Sequence, residues 1–252
     1  MTSYTGKKAV VTGGTTGMGR AIAEALLERG AEVLLTGRNE KNLEQARETL
    51  GPRAHVLRSD AASLADIDAL RDEVARRFGR IDAVFINAGH AKLIAQDQID
   101  EVEYDRHFAI NTRGPFFTLQ RLAPLVQKGG SFVLTTSIAN ETGYPGMTLY
   151  AGTKAALRSF AQGFAAELLG RGIRVNALSP GFIKTETMGI EGSEQERAAL
   201  LEEGDKATPM GRNGSPEEVA RAALYLAFEA TFTTGLELKV DGGITSITVP
   251  QH

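Results

Sequence analysis

The sequence predicts a single α/β domain in which a doubly wound parallel sheet of about seven strands carries helices on both faces. Three observations lead there. Short apolar runs rich in Val, Ile and Leu recur at 9–12, 33–36, 55–57, 83–86, 132–135, 173–178 and 236–240, each the length of a buried strand. Between them, apolar residues repeat at helical spacing, as in Ile22, Leu26 and Leu27, then Leu64, Ile67, Leu70, Val74 and Phe78. Parallel strands need crossovers of this kind, so the alternation itself selects a parallel sheet. Third, 252 residues, 42% of them hydrophobic and 23% charged, suffice for one core of the size α/β folds build as a single unit.

Taken in order, the first strand starts with Lys8 and runs into Gly13-Gly14-Thr15-Thr16-Gly17-Met18-Gly19, after which helical periodicity begins at Arg20 and Ile22. The second strand ends at Gly37 and Arg38, the fourth at Asn87-Ala88-Gly89, and the fifth at Ser137. A long helix opens with Tyr150 and continues through Leu157, Phe160, Phe164 and Leu168. The polar stretch 184–213, with Gly189, Gly192, Gly204 and Gly211, breaks the rhythm and is long for a structureless connection. It reads as a substrate lid whose 198–203 portion forms a short helix. Ser215, Pro216 and Glu218 then have the side chains of an N-cap, first helical position and N3 partner, so a helix restarts there. With no internal repeat or interdomain linker, residues 1–252 form one domain.

Composition narrows the function classes. The net charge is −3, from 28 basic and 31 acidic residues without a block of like charge, which argues against nucleic acid and anionic membrane as partners. There is no cysteine, hence no disulfide or thiolate chemistry, and the four histidines show no metal-ligand spacing along the chain. The short polar stretch 1–6 leaves no room for a signal peptide and the apolar runs are too short to span a bilayer, so a cytoplasmic protein is expected.

Strand, glycine turn and helix together make a Rossmann-like phosphate cradle. Glycines let backbone N–H groups at a helix N-terminus face a pyrophosphate. With 28 glycines, a three-glycine pattern at fixed offsets is expected about 0.3 times by chance, so the context carries the reading, and an ordinary strand-to-helix turn competes with it. A nucleotide site reads its ribose at the end of the second strand. Arg38 stands there; its planar fork suits a 2′-phosphate, whereas an acid would select the free diol. NADP(H) is thus expected over NAD(H), the alternative being a solvated surface arginine.

Tyr150 and Lys154 lie four residues apart, on one helix face. A nearby cation stabilises a phenolate, bringing the tyrosine pKa down from about 10 and making the pair a general acid and base. Ser137, thirteen residues before the tyrosine, can offer its hydroxyl to a substrate oxygen. The triplet is expected only about 0.007 times by chance. A core tyrosine with a snorkelling lysine would explain the pair but not the serine.

On these residues the chain resembles the classical short-chain dehydrogenase/reductase family, bacterial ketone and 3-oxoacyl reductases in particular, over essentially its whole length. The resemblance implies that Gly13, Thr15, Thr16, Gly17, Met18 and Gly19 hold the cofactor phosphates, that Asp60 and Ala61 meet the adenine, and that Asn87, Ala88 and Gly89 line the fourth strand's end. It implies a catalytic set of Asn111, Ser137, Tyr150 and Lys154, and a nicotinamide grip from Pro180, Gly181, Ile183 and Thr185. Asn111 would hold a water linking Lys154 to solvent; an asparagine that kinks a helix by bonding locally is the competing reading. Ile86 departs from the family's usual asparagine, putting a bridge between strands in doubt, and Gly152 costs its helix about 1 kcal/mol. The family's habit implies a homotetramer, or failing that a dimer, with Phe160, Phe164 and Leu168 exceeding what one sheet face needs and Gly163 permitting close approach.

The expected activity is reversible reduction of a ketone or aldehyde by hydride from NADP(H), with Ser137 and Tyr150 on the carbonyl oxygen and Lys154 also holding the nicotinamide ribose. Ile138, Tyr144, Met147 and Met188 suggest a hydrophobic small-molecule carbonyl or alcohol substrate, while His90 and Lys92 are expected in a solvent-facing loop near the entrance. A 3-oxoacyl thioester reductase is the alternative within the enzyme reading. A catalytically silent nucleotide-binding regulator is the alternative outside it. A methyltransferase would need an acid where Arg38 stands and gives no reason for Ser137 with Tyr150 and Lys154.

Overall fold

The computed structural model describes residues 2–186 and 188–248; Met1, Thr187 of the expected lid, and the last four residues lie outside them. The strands expected from the apolar runs form in order: β1 (Lys8–Thr12), β2 (Glu32–Gly37), β3 (Ala54–Arg58), β4 (Ile81–Ile86), β5 (Val126–Thr135), β6 (Arg174–Pro180) and β7 (Glu237–Val240). They make one parallel sheet in the order β3-β2-β1-β4-β5-β6-β7.

Successive residues of the central strands face opposite helical layers, which is why these strands read as continuous apolar runs. Ala9 and Val11 pack into the layer of α1 (Gly17–Glu28) and α8 (Pro216–Leu224), while Val10 between them packs into that of α3 (Leu64–Phe78), α5 (Gly114–Leu122) and α6 (Thr148–Leu168). Val33 and Leu35 against Leu34, and Ala83 and Phe85 against Val84 and Ile86, repeat the division. Each fully buried side chain of this size contributes about 1.5–3 kcal/mol. Ile86 keeps its strand despite the missing asparagine: it is buried and in register with Thr12 and Leu134.

The structure adds α2 (Glu40–Thr49) and α4 (Glu101–Phe108), and joins α4 to α5 by a π-helical turn, Ala109–Arg113, that holds Asn111. In the stretch expected to act as a lid, α7 (Glu194–Ala207) is a 14-residue helix where only a short 198–203 helix was expected. Ser193 and Glu196 start it with a reciprocal capping box, each satisfying the other's backbone N–H. Ser215 and Glu218 do the same for α8, with Pro216 in its first turn, as the sequence predicts. Because β1 continues towards β2 on one side and neighbours β4 on the other, the strand order reverses there, opening a crevice at the carboxyl ends of both strands.

Candidate functional site

The crevice is a cavity of about 680 Å³ running from the glycine turn after β1 to the inner face of α7. Beneath the turn, Thr12 Oγ1 accepts the N–H groups of Asn87 at 3.0 Å and Ala88 at 3.1 Å, so β1 and β4 are tied where their loops diverge. Asn87 Nδ2 donates to Gly13 O at 3.2 Å. Gly13 has φ +64°, and a Cβ there would sit 2.8 Å from the Ala88 Cα; at Gly19 it would meet Gly13 O at 2.2 Å. Only glycine permits this close turn.

The turn fits a dinucleotide. Thr16 begins α1 without a side-chain cap and the first turn carries no acidic residue, so its N–H groups are free to face an anion. Gly13, Thr15, Thr16, Gly17 and Met18 line the cavity; Gly19 supports them from inside α1. Further along lie Arg38, Asp60 and Ala61. Arg38 is exposed and makes no hydrogen bond or ion pair among the described residues. Asn39 Oδ1 accepts the Asn42 N–H at 3.1 Å to cap α2, leaving its amide as a donor. Asp60 Oδ1 accepts the Ala62 N–H at 2.9 Å, which fixes the turn after β3. Opposite, Asn87, Ala88, Gly89, Pro180, Gly181, Ile183 and Thr185 also line the cavity, and Thr185 Oγ1 is buried with no hydrogen-bond partner among the described residues, as a hydroxyl kept for a ligand would be.

Of the four expected catalytic residues, Ser137, Tyr150 and Lys154 line this cavity, and Asn111 is buried behind its wall. Ser137 caps the short turn after β5, its Oγ accepting the Ala139 N–H at 3.2 Å, and it stands near enough to Tyr150 to act against the rise in the phenol's pKa. Lys154 is buried one turn further along α6; its Nζ lies 5.6 Å from the Tyr150 ring centroid and donates to the main-chain oxygen of Thr135 at 2.8 Å. Asn111 is fully buried: its Oδ1 accepts the His90 N–H at 2.8 Å, and its Nδ2 donates to His90 O at 2.8 Å and Thr153 Oγ1 at 3.0 Å. Thr153 in turn donates to Tyr150 O at 2.7 Å. Asn111 thus clamps the loop after β4 to the first turn of α6, and its side chain is committed to protein partners. Thr153, beside Lys154, was not singled out from the sequence.

The electrostatics correct one expectation. Burial pushes the Tyr150 phenol above its ordinary value, opposed only by Ser137. Burial also lowers Lys154 to about 8. In the protein alone, desolvation of both groups therefore outweighs the depression expected of a neighbouring ammonium.

Above Tyr150 the wall is apolar, with Ala91, Ile190 and Leu200 buried and Met147, Tyr150, Phe182 and Met188 packed on them. Ile138 and Tyr144 line the same space. The Tyr144 hydroxyl donates to Glu203 of α7. His90 is buried in the cavity wall, not in the solvent-facing loop expected, because Glu103 of α4 accepts from its Nε2 at 2.9 Å. Lys92 is partly exposed, and its backbone pairs with that of Glu191 as an isolated parallel bridge. Glu103 also meets His107, so that two histidines and a carboxylate present ligand atoms within 4.8 Å of one another, a grouping invisible in linear spacing. Lys92 and Arg106 each stand 3.7 Å from Glu103 Oε2, so the carboxylate is already charge-balanced.

The three apolar residues expected at an assembly face also have contacts within the chain: Phe160 and Phe164 pack on Phe116 at 5.3 and 5.0 Å, and Leu168 is buried. Gly152 and Gly163 are exposed, with open space where a Cβ would stand.

The comparisons agree with this architecture. The family model described as Enoyl-(Acyl carrier protein) reductase matches residues 13–245. An oxidoreductase of Sarocladium schorii is 38% identical over 250 residues, covering 96% of this chain and 97% of the relative. A hydroxynaphthalene reductase-like protein of Metarhizium robertsii is 33% identical over 255 residues, with 96% of each covered. The crystal structure of a short-chain dehydrogenase/reductase described as glucose/ribitol dehydrogenase, from Brucella melitensis, superposes with TM-score 0.90 at 30% identity, covering 97% of this chain and 99% of that one.

Proposed function

The chain belongs to the short-chain dehydrogenase/reductase family, oxidoreductases that act on CH–OH and C=O groups with a nicotinamide cofactor, and from that premise we propose that it reversibly reduces a ketone or aldehyde using NADP(H), with Tyr150 as general acid and base. The observation that carries this reading is that Tyr150 and Ser137 line the same cavity, with Lys154 buried one turn behind the tyrosine. Bound nicotinamide supplies or accepts the hydride. Ser137 and Tyr150 hold the carbonyl oxygen where charge develops, and Tyr150 passes its proton to that oxygen. A phenol held above its ordinary pKa is protonated at neutral pH, the form reduction requires. Lys154 stabilises the phenolate left behind and donates to the nicotinamide ribose. Asn111 positions the His90 loop and Thr153 around them, and water held near it reconnects Lys154 to solvent.

NADP(H) is favoured because Arg38, at the ribose end, is unpaired among the described residues, with Thr15, Thr16 and the Asn39 amide as neutral donors beside it. A homotetramer is favoured by the exposed Gly152 and Gly163 on α6 and by fully exposed Phe232 beside β7. No helix among the described residues is long and apolar enough to cross a membrane, which suits the cytoplasmic location proposed. The acyl-carrier wording of the matching family model supports a second reading, a 3-oxoacyl thioester reductase. Nicotinamide absorbance across a panel of aliphatic, aryl and acyl-thioester ketones tests both; consumption with none of them refutes both and leaves a silent nucleotide-binding regulator.

A further inference from the structure

Resting on the carbonyl-reductase reading, we propose that the substrate is an uncharged hydroxy-ketone, or the corresponding diol, whose second hydroxyl donates a hydrogen bond to Glu203 of α7. Leu200 and Glu203 are three residues apart on α7 and share a face. Leu200 packs in the apolar group that includes Tyr150, so the same face carries Glu203 into the wall of the substrate space. The only hydrogen bond that Glu203 accepts from a side chain among the described residues comes from the Tyr144 hydroxyl. A carboxylate has about four lone-pair sites, so three are left to a ligand.

Tyr144 cannot satisfy a second acceptor. Its single proton points to Glu203, and burial together with that carboxylate pushes the phenol up to about 12, so it stays a phenol and turns lone pairs to the cavity. His90 adds a further acceptor. Glu103 can only accept, so His90 Nε2 carries the proton and Nδ1 keeps a lone pair; the closest carboxylate oxygen to it, on Glu191, is 3.8 Å away and bonded to Arg106. The side-chain polar groups opposite Ser137 and Tyr150 are therefore acceptors, set in an apolar wall. Such a surface reads a donor.

It also rejects anions. The cations among the described lining residues are Arg38, at the nucleotide end, and Lys154, whose ammonium faces Thr135, whereas Glu191 and Glu203 both lie on the lid side. A substrate carboxylate would meet like charge with no counter-ion.

The test compares kcat/KM for matched aryl ketones: a bicyclic ketone, the same ketone with a hydroxyl remote from the carbonyl, and the same ketone with a carboxylate there. The ratio of two values within one variant cancels any effect common to both. The wild type should favour the hydroxy-ketone over the plain ketone by at least about ten-fold. Glu203→Leu should bring that ratio near one, and Glu203→Gln should raise the carboxylate's relative rate. Tyr144→Phe frees Glu203 and should keep the preference. A wild-type ratio near one, or a ratio that survives Glu203→Leu in a protein with a normal melting curve, overturns the proposal. Calorimetric binding of the plain and hydroxy ketones separates the two readings. A binding preference without turnover of either ketone refutes the reductase reading and upholds the Glu203 contact; binding without preference overturns the contact.

Discussion

Lys154 spends its ammonium on the main-chain oxygen of Thr135, 2.8 Å away, while standing 5.6 Å from the centre of the Tyr150 ring. Strand β5 therefore fixes both partners: Ser137 follows two residues after its end, and the carbonyl of Thr135, its last residue, sets the height of the lysine. A lysine buried in this way titrates near neutrality, and two consequences can be measured.

The first is a pH effect on stability. Burial lowers Lys154 from 10.5 to about 8, so between about pH 8 and 10.5 the unfolded chain holds a proton that the folded chain has released. Stability contributed through this group rises with pH in that window, and the cost of burying the charge is fully present below it. Lys154→Met removes the cost, so its melting temperature relative to the wild type should be higher at pH 7 than at pH 9.5. A constant difference across that range would show that Lys154 is not depressed.

The second is a pH effect on turnover. Loss of the ammonium above about pH 8 removes the charge that stabilises the phenolate, so kcat/KM for ketone reduction should fall on that alkaline limb. A flat profile to pH 9.5 would count against Lys154 as the titrating group.

Arg38 makes no hydrogen bond or ion pair among the described residues and lines the cavity beside the end of β2. Charge-assisted bonds to a 2′-phosphate contribute about 1.5–3 kcal/mol, or roughly ten- to a hundred-fold in affinity. Arg38→Ala should lower kcat/KM for NADPH by that factor and leave the value for NADH nearly unchanged. A wild type that prefers NADH, or an alanine variant of unaltered selectivity, would make Arg38 a surface charge only.

Assembly is tested by light scattering at micromolar concentration, where a tetramer is expected. Gly163→Glu places a charge on the exposed face of α6, where the chain itself offers no contact, and should dissociate the assembly without unfolding the protomer. A monomeric wild type would refute the tetramer.

The sheet was legible because residues such as Ala9, Val10 and Val11 serve opposite layers, and a strand buried on both faces can only be written in apolar letters. Tyr150, Lys154 and Ser137 were legible because helix spacing and a strand end bring them together locally. The length of α7 was not, since Gly192 and Gly204 mask a helix with few apolar residues; the Ser193 and Glu196 cap was the signal that marks its start. The burial of His90 was illegible for another reason: Glu103, Glu191 and Asn111, which surround it, meet only once β4, α4 and the lid are folded together. The packing of Phe160 and Phe164 on Phe116 was illegible in the same way, since Phe116 lies on another helix.

The central claim is that Tyr150 transfers the proton, and Tyr150→Phe tests it most directly because it removes one hydroxyl and little volume from a wall that otherwise stays packed. Single-turnover reduction of the best ketone by NADPH should fall by at least about 100-fold in Tyr150→Phe, the lower end of what a positioned general acid contributes, while calorimetric NADPH affinity stays within about two-fold of the wild type. Near wild-type turnover in that variant would contradict the account.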